Sequence, residues 1–303
     1  MAIETVAVLS PGDMGHNYGI ALKQAGFRII TCLADRSERT KELAAKAEFE
    51  DVSNLDDITR EADLILSIMP PANAVGTAKE VAEAMKRTGE TPIYVDCNAI
   101  SPDTSKLAGA PITEAGADYV DGGIVGPGPG TRERATSMYV SGPNAKAIQA
   151  IHGKYIDVID LGPEIGKASA AKMCYAAITK GSWTLYTTAL VAAEALGVSE
   201  QLHTALRLSR PSIWSDIEKM LPRLPLDAGR WVGEMEEIAQ TMGSAGSSSH
   251  FHQGAAEIME LLDSTPIGRE TRENYDRDRS LEQCLKIFVE HLPVKSERAK
   301  AAE

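Results

Sequence analysis

The sequence predicts an α/β domain built on a doubly wound, largely parallel sheet, followed by an all-helical domain. Three observations carry this reading. Short apolar runs alternate with helix-patterned stretches through the first half, strand signals stop after Gly162, and Gly166–Leu196 is a long Ala-rich stretch without proline. Strands separated by helices require crossover connections, which favour parallel pairing. The domain boundary is placed near Gly162, dividing the chain into residues 1–162 and 163–303.

The expected strands, in order, are Thr5–Leu9, Arg28–Leu33, Asp63–Met69, Ile93–Cys97, Tyr119–Val125, Ser137–Ser141 and Ile156–Leu161. Helical candidates between the first five include Met14–Ala25, Glu38–Ala47 and Ala74–Arg87. The long helix stops at Gly197, where a C′ glycine belongs. Beyond it the candidates are Glu200–Leu208, Ser212–Met220, Gly229–Thr241, Gly254–Leu262 and Leu281–His291, separated by loops containing Pro and Gly. The charged tail Lys295–Glu303 is expected to fray.

Composition narrows the function. With 43% hydrophobic and 24% charged residues the chain reads as an ordinary globular protein. Its 31 Lys and Arg against 43 Asp and Glu leave a net charge of −12, which disfavours nucleic acid as a partner. A small anionic ligand would need a local set of donors. Cys32, Cys97, Cys174 and Cys284 are scattered with no C-x-x-C pair, so reduced thiols are expected. No run resembles a secretory leader or a membrane span, so the expectation is a cytoplasmic protein with no membrane partner.

The first strand runs into Ser10-Pro11-Gly12-Asp13-Met14-Gly15 and a helix. In a dinucleotide-binding turn the middle glycine admits the pyrophosphate and the last lets helix pack on strand. Gly12 and Gly15 suit those places, while Ser10 replaces the first glycine of G-x-G-x-x-G. This makes the first domain Rossmann-like. After the second strand comes Asp35-Arg36-Ser37-Glu38-Arg39-Thr40. An acidic side chain there accepts from a ribose diol, whereas an arginine accommodates a 2′-phosphate. Arg36 and Ser37 form a phosphate clamp, with Arg39 and Thr40 a step behind, so NADP(H) is preferred and NAD(H) remains open. Ser37 also suits the N-cap of the next helix.

Three ordered segments resemble the 6-phosphogluconate dehydrogenase and β-hydroxyacid dehydrogenase superfamily. They are Val6–Gly15, Asp63–Pro71 and Asp96–Pro102. The resemblance covers most of the chain, and the second half resembles a branch without a well-defined substrate, notably over Arg230–Glu237. It implies that Met69, Pro70, Pro71 and Asn98 lie beside the cofactor, and that the chain dimerises through its helical domain. It further implies an active site in the cleft between the domains. Gly166-Lys167-Ala168-Ser169-Ala170-Ala171-Lys172-Met173 matches the family's lysine after a glycine, which assigns Lys172 as the acid/base.

The chemistry needs such a group, because oxidising an alcohol removes the hydroxyl proton as hydride leaves. A lysine serves if its surroundings lower its pKa. The other reading of Lys172 is a solvated helix lysine, although Ala168, Ala171 and Ala176 suggest packing on its face. The pattern departs from the family at the substrate. Tyr175 and Ala176 stand where members carry an asparagine. In Asp121-Gly122-Gly123-Ile124-Val125-Gly126-Pro127 the serine place is Val125, and Pro127 removes an amide donor. Thr131, Arg132 and Arg134 form either an anion clamp or a surface loop.

Several further residues carry two readings. Lys180, eight residues after Lys172, either shares its side of the helix or is structural. Trp231 and Glu234 could face the cleft by resemblance; the other readings are core packing for Trp231, which would otherwise contact substrate, and solvation for Glu234. His250 and His252 would share a face if extended, but no third ligand has matching spacing, so no metal site is expected. The charge run Arg269–Arg279 reads as a solvated face. The functional expectation is an NADP(H)-dependent oxidoreductase acting on a hydroxyacid or related alcohol or carbonyl. Imine or enamine reduction and a non-catalytic NADP(H)-binding protein are the alternatives.

Overall fold

In a computed structural model, which describes residues 3–131 and 135–293, the chain divides into two compact units, Met1–Tyr175 and Ala176–Glu303. The first contains β1 (Thr5–Leu9), α1 (Asp13–Gln24), β2 (Arg28–Thr31), α2 (Glu38–Lys46), β3 (Glu50–Asp51), α3 (Leu55–Glu61) and β4 (Leu64–Ser67). It continues with α4 (Ala74–Thr88), β5 (Ile93–Asp96), α5 (Pro102–Glu114), β6 (Tyr119–Val125), β7 (Thr136–Ser141) and β8 (Ile156–Asp160). The long helix α6 (Lys167–Ala195) begins in this unit. In the second unit α6 is followed by α7 (Ser199–Ser209), α8 (Pro211–Met220), α9 (Pro225–Ser244), α10 (His250–Ser264) and α11 (Leu281–Glu290).

The eight strands form one sheet in the order β3-β2-β1-β4-β5-β6-β7-β8. Every pairing is parallel except β6 with β7. The apolar runs are continuous because both faces are covered. Val6 and Val8 of β1 join one core with residues of α1 and α2, while Ala7 and Leu9 join the other with residues of α3, α4 and α5. The chain leaves β1 for β2 on one side and returns to β4 on the other. A crevice for a ligand forms at such a reversal, outside the carboxyl ends of the strands.

Three elements escaped the sequence pattern. β3 has only two residues, both exposed, and shows no alternation. α3 is seven residues long, and its signal is local: the Asn54 side chain accepts from the Asp57 amide at 3.0 Å. α5 carries Pro111 internally, a helix breaker on paper. Pro111 cannot donate to the carbonyl of Leu107, but Leu107 is exposed, so water can satisfy that group.

The second unit corrects three further expectations. His250 and His252 open α10 rather than an extended segment, so residues two apart point to different sides of a helix. Glu234 is buried, not solvated; it pairs with Lys180, and Arg230 Nη1 lies 3.8 Å from its Oε1. The Arg269–Arg279 run is only partly a solvated face. Arg272 pairs with Asp227 at 2.7 Å, and Arg279 and Glu270 form a largely buried pair. The expected tail Lys295–Glu303 lies outside the described residues, as do Arg132 and Arg134.

Candidate active site

Three neighbouring strand ends build the first part of the site. Leu9 pairs with Ser67, and Ser67 with Asp96, so the segments following β1, β4 and β5 emerge side by side. After β1, Ser10 takes a φ of +60°, the left-handed conformation for which the motif ordinarily uses glycine. A serine there carries a strain of order 1 kcal/mol. The Gly12 amide donates to the Ser10 carbonyl at 2.7 Å, closing the turn ahead of α1.

Gly12 is the N-cap of α1 and provides no side-chain cap, so first-turn amides are available to an anion. Apart from Gly12 and its chain neighbours, no atom of the described residues lies within 4 Å of where a Gly12 Cβ would stand, whereas a Cβ on Gly15 would stand 3.1 Å from the Ser10 carbonyl oxygen. One glycine thus faces open space and the other a packed strand, as their motif positions require. Pro11 is buried and Met14 packs against the core. The Asp13 carboxylate, at the helix start, pairs with Arg39 at 2.6 Å, so Arg39 is turned toward the glycine turn.

After β2, Asp35 also has a positive φ, and the Arg36 amide donates to the Leu33 carbonyl at 3.1 Å. The Arg36 Nε is buried and has no hydrogen-bond partner among the described residues. Ser37 caps α2 by accepting from the Thr40 amide at 3.3 Å. A hydroxyl has further hydrogen-bonding capacity, so the cap does not exclude a phosphate contact. An open Gly12 and uncapped α1 amides suit the pyrophosphate of a nicotinamide dinucleotide.

The loop after β4 is tied to the end of β5. Asn98 Oδ1 accepts from the Met69 amide at 2.6 Å, and Asn98 Nδ2 donates to Ser67 Oγ at 3.1 Å. Asn98 therefore spends its carboxamide on holding Met69 in place, while Pro70 and the buried Pro71 lead into a short 3-10 turn. Asp96 Oδ1 accepts from the Asn98 amide at 2.9 Å, and Asp96 Oδ2 is buried with no partner among the described residues. Burial pushes the Asp96 carboxyl up to about 7, with Asp121 adding to the effect and the Asn98 amide and Lys172 opposing it. No motif singles out Asp96 in the sequence. Its only signal was an acidic residue ending an otherwise apolar strand.

Lys172 lies in the second turn of α6 and donates from Nζ to the Cys97 carbonyl at 3.0 Å, which sets the amine at the end of β5. The close approach depends on Gly123: a Cβ there would stand 2.6 Å from the Ala168 carbonyl oxygen and 3.2 Å from Lys172 Cβ. Ala168 and Met173 on the helix are fully buried. At the end of β6, Val125 leads into Gly126 and Pro127, whose carbonyl accepts from Thr136 Oγ1 at 2.5 Å. Tyr175, near the end of the first unit, is about half exposed. Trp231 belongs to the second unit, where Lys180 Nζ sits 4.8 Å from its ring centroid.

Residues 5–152 match the NAD-binding domain of 6-phosphogluconate dehydrogenase, and residues 193–262 match a domain of unknown function, DUF1932. One chain thus joins a match to the NAD-binding domain of 6-phosphogluconate dehydrogenase with a match to DUF1932. It is 28% identical over 174 residues to an uncharacterized 28.5 kDa protein of Methanothermus fervidus, covering 57% of this chain and 65% of that one. With the mitochondrial 3-hydroxyisobutyrate dehydrogenase of Drosophila melanogaster it shares 25% identity over 210 residues, 67% of this chain and 59% of the relative. The matches thus span less than two thirds of either relative's length. A conserved hypothetical protein of Sinorhizobium meliloti 1021 has the same fold, with a TM-score of 0.65 and 22% identity over 96% of this chain and 97% of that one.

Proposed function

We propose that this chain is an NADP(H)-dependent oxidoreductase acting on a hydroxyacid or a related alcohol or carbonyl, with Lys172 as the acid/base. The observation that supports it best is the Lys172 amine held 3.0 Å from the Cys97 carbonyl, at a strand end two strands from the glycine turn. The α1 amides and Gly12 would hold the pyrophosphate, Arg36 and Ser37 the 2′-phosphate, and Met69, Pro70 and Pro71 would line the nicotinamide ribose. The bound cofactor supplies or accepts the hydride. Lys172 takes the proton from the substrate hydroxyl on oxidation and returns it on reduction. The Cys97 carbonyl orients the amine without neutralising it. Val125, Gly126, Pro127 and Tyr175 are the proposed substrate contacts of the first unit. With no serine at Val125 and no amide donor at Pro127, bulkier or less acidic substrates suit the site better than small hydroxyacids.

Calorimetric titration tests the cofactor assignment. NADP(H) should bind more tightly than NAD(H), and Arg36→Ala should narrow the difference, because a charged hydrogen bond contributes about 1.5–3 kcal/mol. Equal affinities in the parent protein remove the NADP preference. Turnover with hydroxyacids, alcohols and cyclic imines then separates the alcohol reading from imine reduction. Tight cofactor binding without any turnover favours a non-catalytic NADP(H)-binding protein.

The homodimer is proposed on the surface of α6. Ile178, Leu185 and Leu196 are 72%, 52% and 76% exposed. Ile178 and Leu185 lie on α6 and Leu196 directly follows its last residue, its amide still bonded to the Ala192 carbonyl, so spacings of 7 and 11 residues keep the three in one stripe. A second copy of the chain would cover it.

A further inference from the structure

We propose that Asp121 is a positioning residue for Lys172: its carboxylate fixes the first turn of α6 against β6 and β7 and so sets where the lysine amine lies. The inference rests on the reading of Lys172 as acid/base for its catalytic meaning, and on geometry for everything else. Asp121 is fully buried. Its Oδ2 accepts from Ser141 Oγ at 2.8 Å and from the Gly166 and Ser169 amides at 3.0 Å each. Its Oδ1 accepts from Ser105 Oγ at 2.9 Å and Ser169 Oγ at 2.5 Å. These donors saturate the lone pairs of an ionised carboxylate.

Two of the donors are amides at the N-terminus of α6, and the Ala168 amide donates to Ser141 Oγ at 3.0 Å. Asp121 and Ser141 are paired across β6 and β7, so the start of α6 is capped from the sheet. The negative charge also lies at the favourable end of the helix dipole. Gly123 follows Asp121 on the same side of β6 and admits the helix at Ala168 and Lys172. Strand β6 therefore holds the helix by charge at Asp121 and by contact at Gly123. One turn separates Ser169 from Lys172, and a shift of the helix start would displace the amine from the Cys97 carbonyl.

Reductive ¹³C-methylation of the lysines lets each amine be followed by NMR through a pH titration, and Lys172→Met identifies the Lys172 signal by its loss. Ser169→Ala removes one donor but leaves the Asp121 charge in place. We expect the Lys172 midpoint to move by about half a pH unit, while the exposed Lys41 and Lys86 signals superimpose on those of the parent. Asp121→Asn, which also removes the charge and turns an N–H donor toward the helix amides, should move it by about one unit or more. An unmoved Lys172 titration in folded Ser169→Ala overturns the proposal, whether or not Asp121→Asn folds. A lowered melting temperature with an unmoved Lys172 signal does the same, since it marks a cap and nothing more. The readout needs neither cofactor nor substrate. If Lys172→Met retains turnover, the acid/base reading fails while the titration still decides the role of Asp121.

Discussion

Lys172 and Asp96 are two ionisable groups near one strand end, and their surroundings assign them different parts. Lys172 donates to the Cys97 carbonyl, which directs its amine, and the proposed function makes it the acid/base. Replacing it with methionine keeps most of the side chain's length while removing the ionisable group. Turnover should fall by a factor of about 10²–10⁴, the usual contribution of a general acid/base, with cofactor affinity little changed. Steady-state rates across pH check this, and near-parent turnover with the same profile would move proton transfer to another residue. Asp96 is the opposite case, a carboxyl raised to about 7 by burial. In the unfolded chain it titrates near 3.9. The folded protein therefore binds the extra proton between these values. The stability this contributes is complete below about pH 4 and lost as pH rises through about 7. Asp96→Asn should flatten that dependence by up to about 1.4 kcal/mol per pH unit. Urea midpoints of parent and variant between pH 4.5 and 8 measure it, and parallel curves would refute the role assigned to burial.

At the scale of elements, most of the proposed cofactor contacts gather at the junction of β1 with α1. A valine at Gly12 would project into open space where an anion would meet the α1 amides, not into packed protein. Gly12→Val should therefore abolish cofactor binding and leave far-UV circular dichroism unchanged. Undiminished binding to a folded variant would place the nucleotide elsewhere. Ser10 and Gly15 show how far the motif could be read from sequence. Both sit where the pattern put them, but only the backbone reveals that Ser10 adopts the strained conformation a glycine would take freely. The pairing of Asp13 with Arg39 was not legible, since 26 residues separate the partners.

For the molecule as a whole, the apolar stripe on α6 predicts association. Leu185→Asp should shift the protein from dimer to monomer in light scattering, because an aspartate in a buried apolar seam is left without a partner. An unchanged mass would exclude this face. In the second unit, Glu234 and Lys180 form a pair whose partners are 54 residues apart. Burial removes water from the carboxylate, so its counter-ion becomes necessary. Glu234→Ala should lower the melting temperature more than Glu236→Ala, an exposed neighbour on α9. Equal losses would mean that the pair contributes no more than a surface contact.

The sequence by itself determined the alternation of strands and helices, the glycine turn and the place of Lys172 early in a long helix. Each is written in a short window, by side-chain period, by turn chemistry or by the distance from a glycine. Tertiary structure alone decided that Asn98 ties β4 to β5, that Asp121 gathers donors from α5, β7 and the start of α6, and that Glu234 is buried. Those roles depend on partners brought from distant segments and on the loss of water around a charge. A charged residue reads the same in sequence whether it meets solvent or a ring of donors, and only the packed fold distinguishes the two.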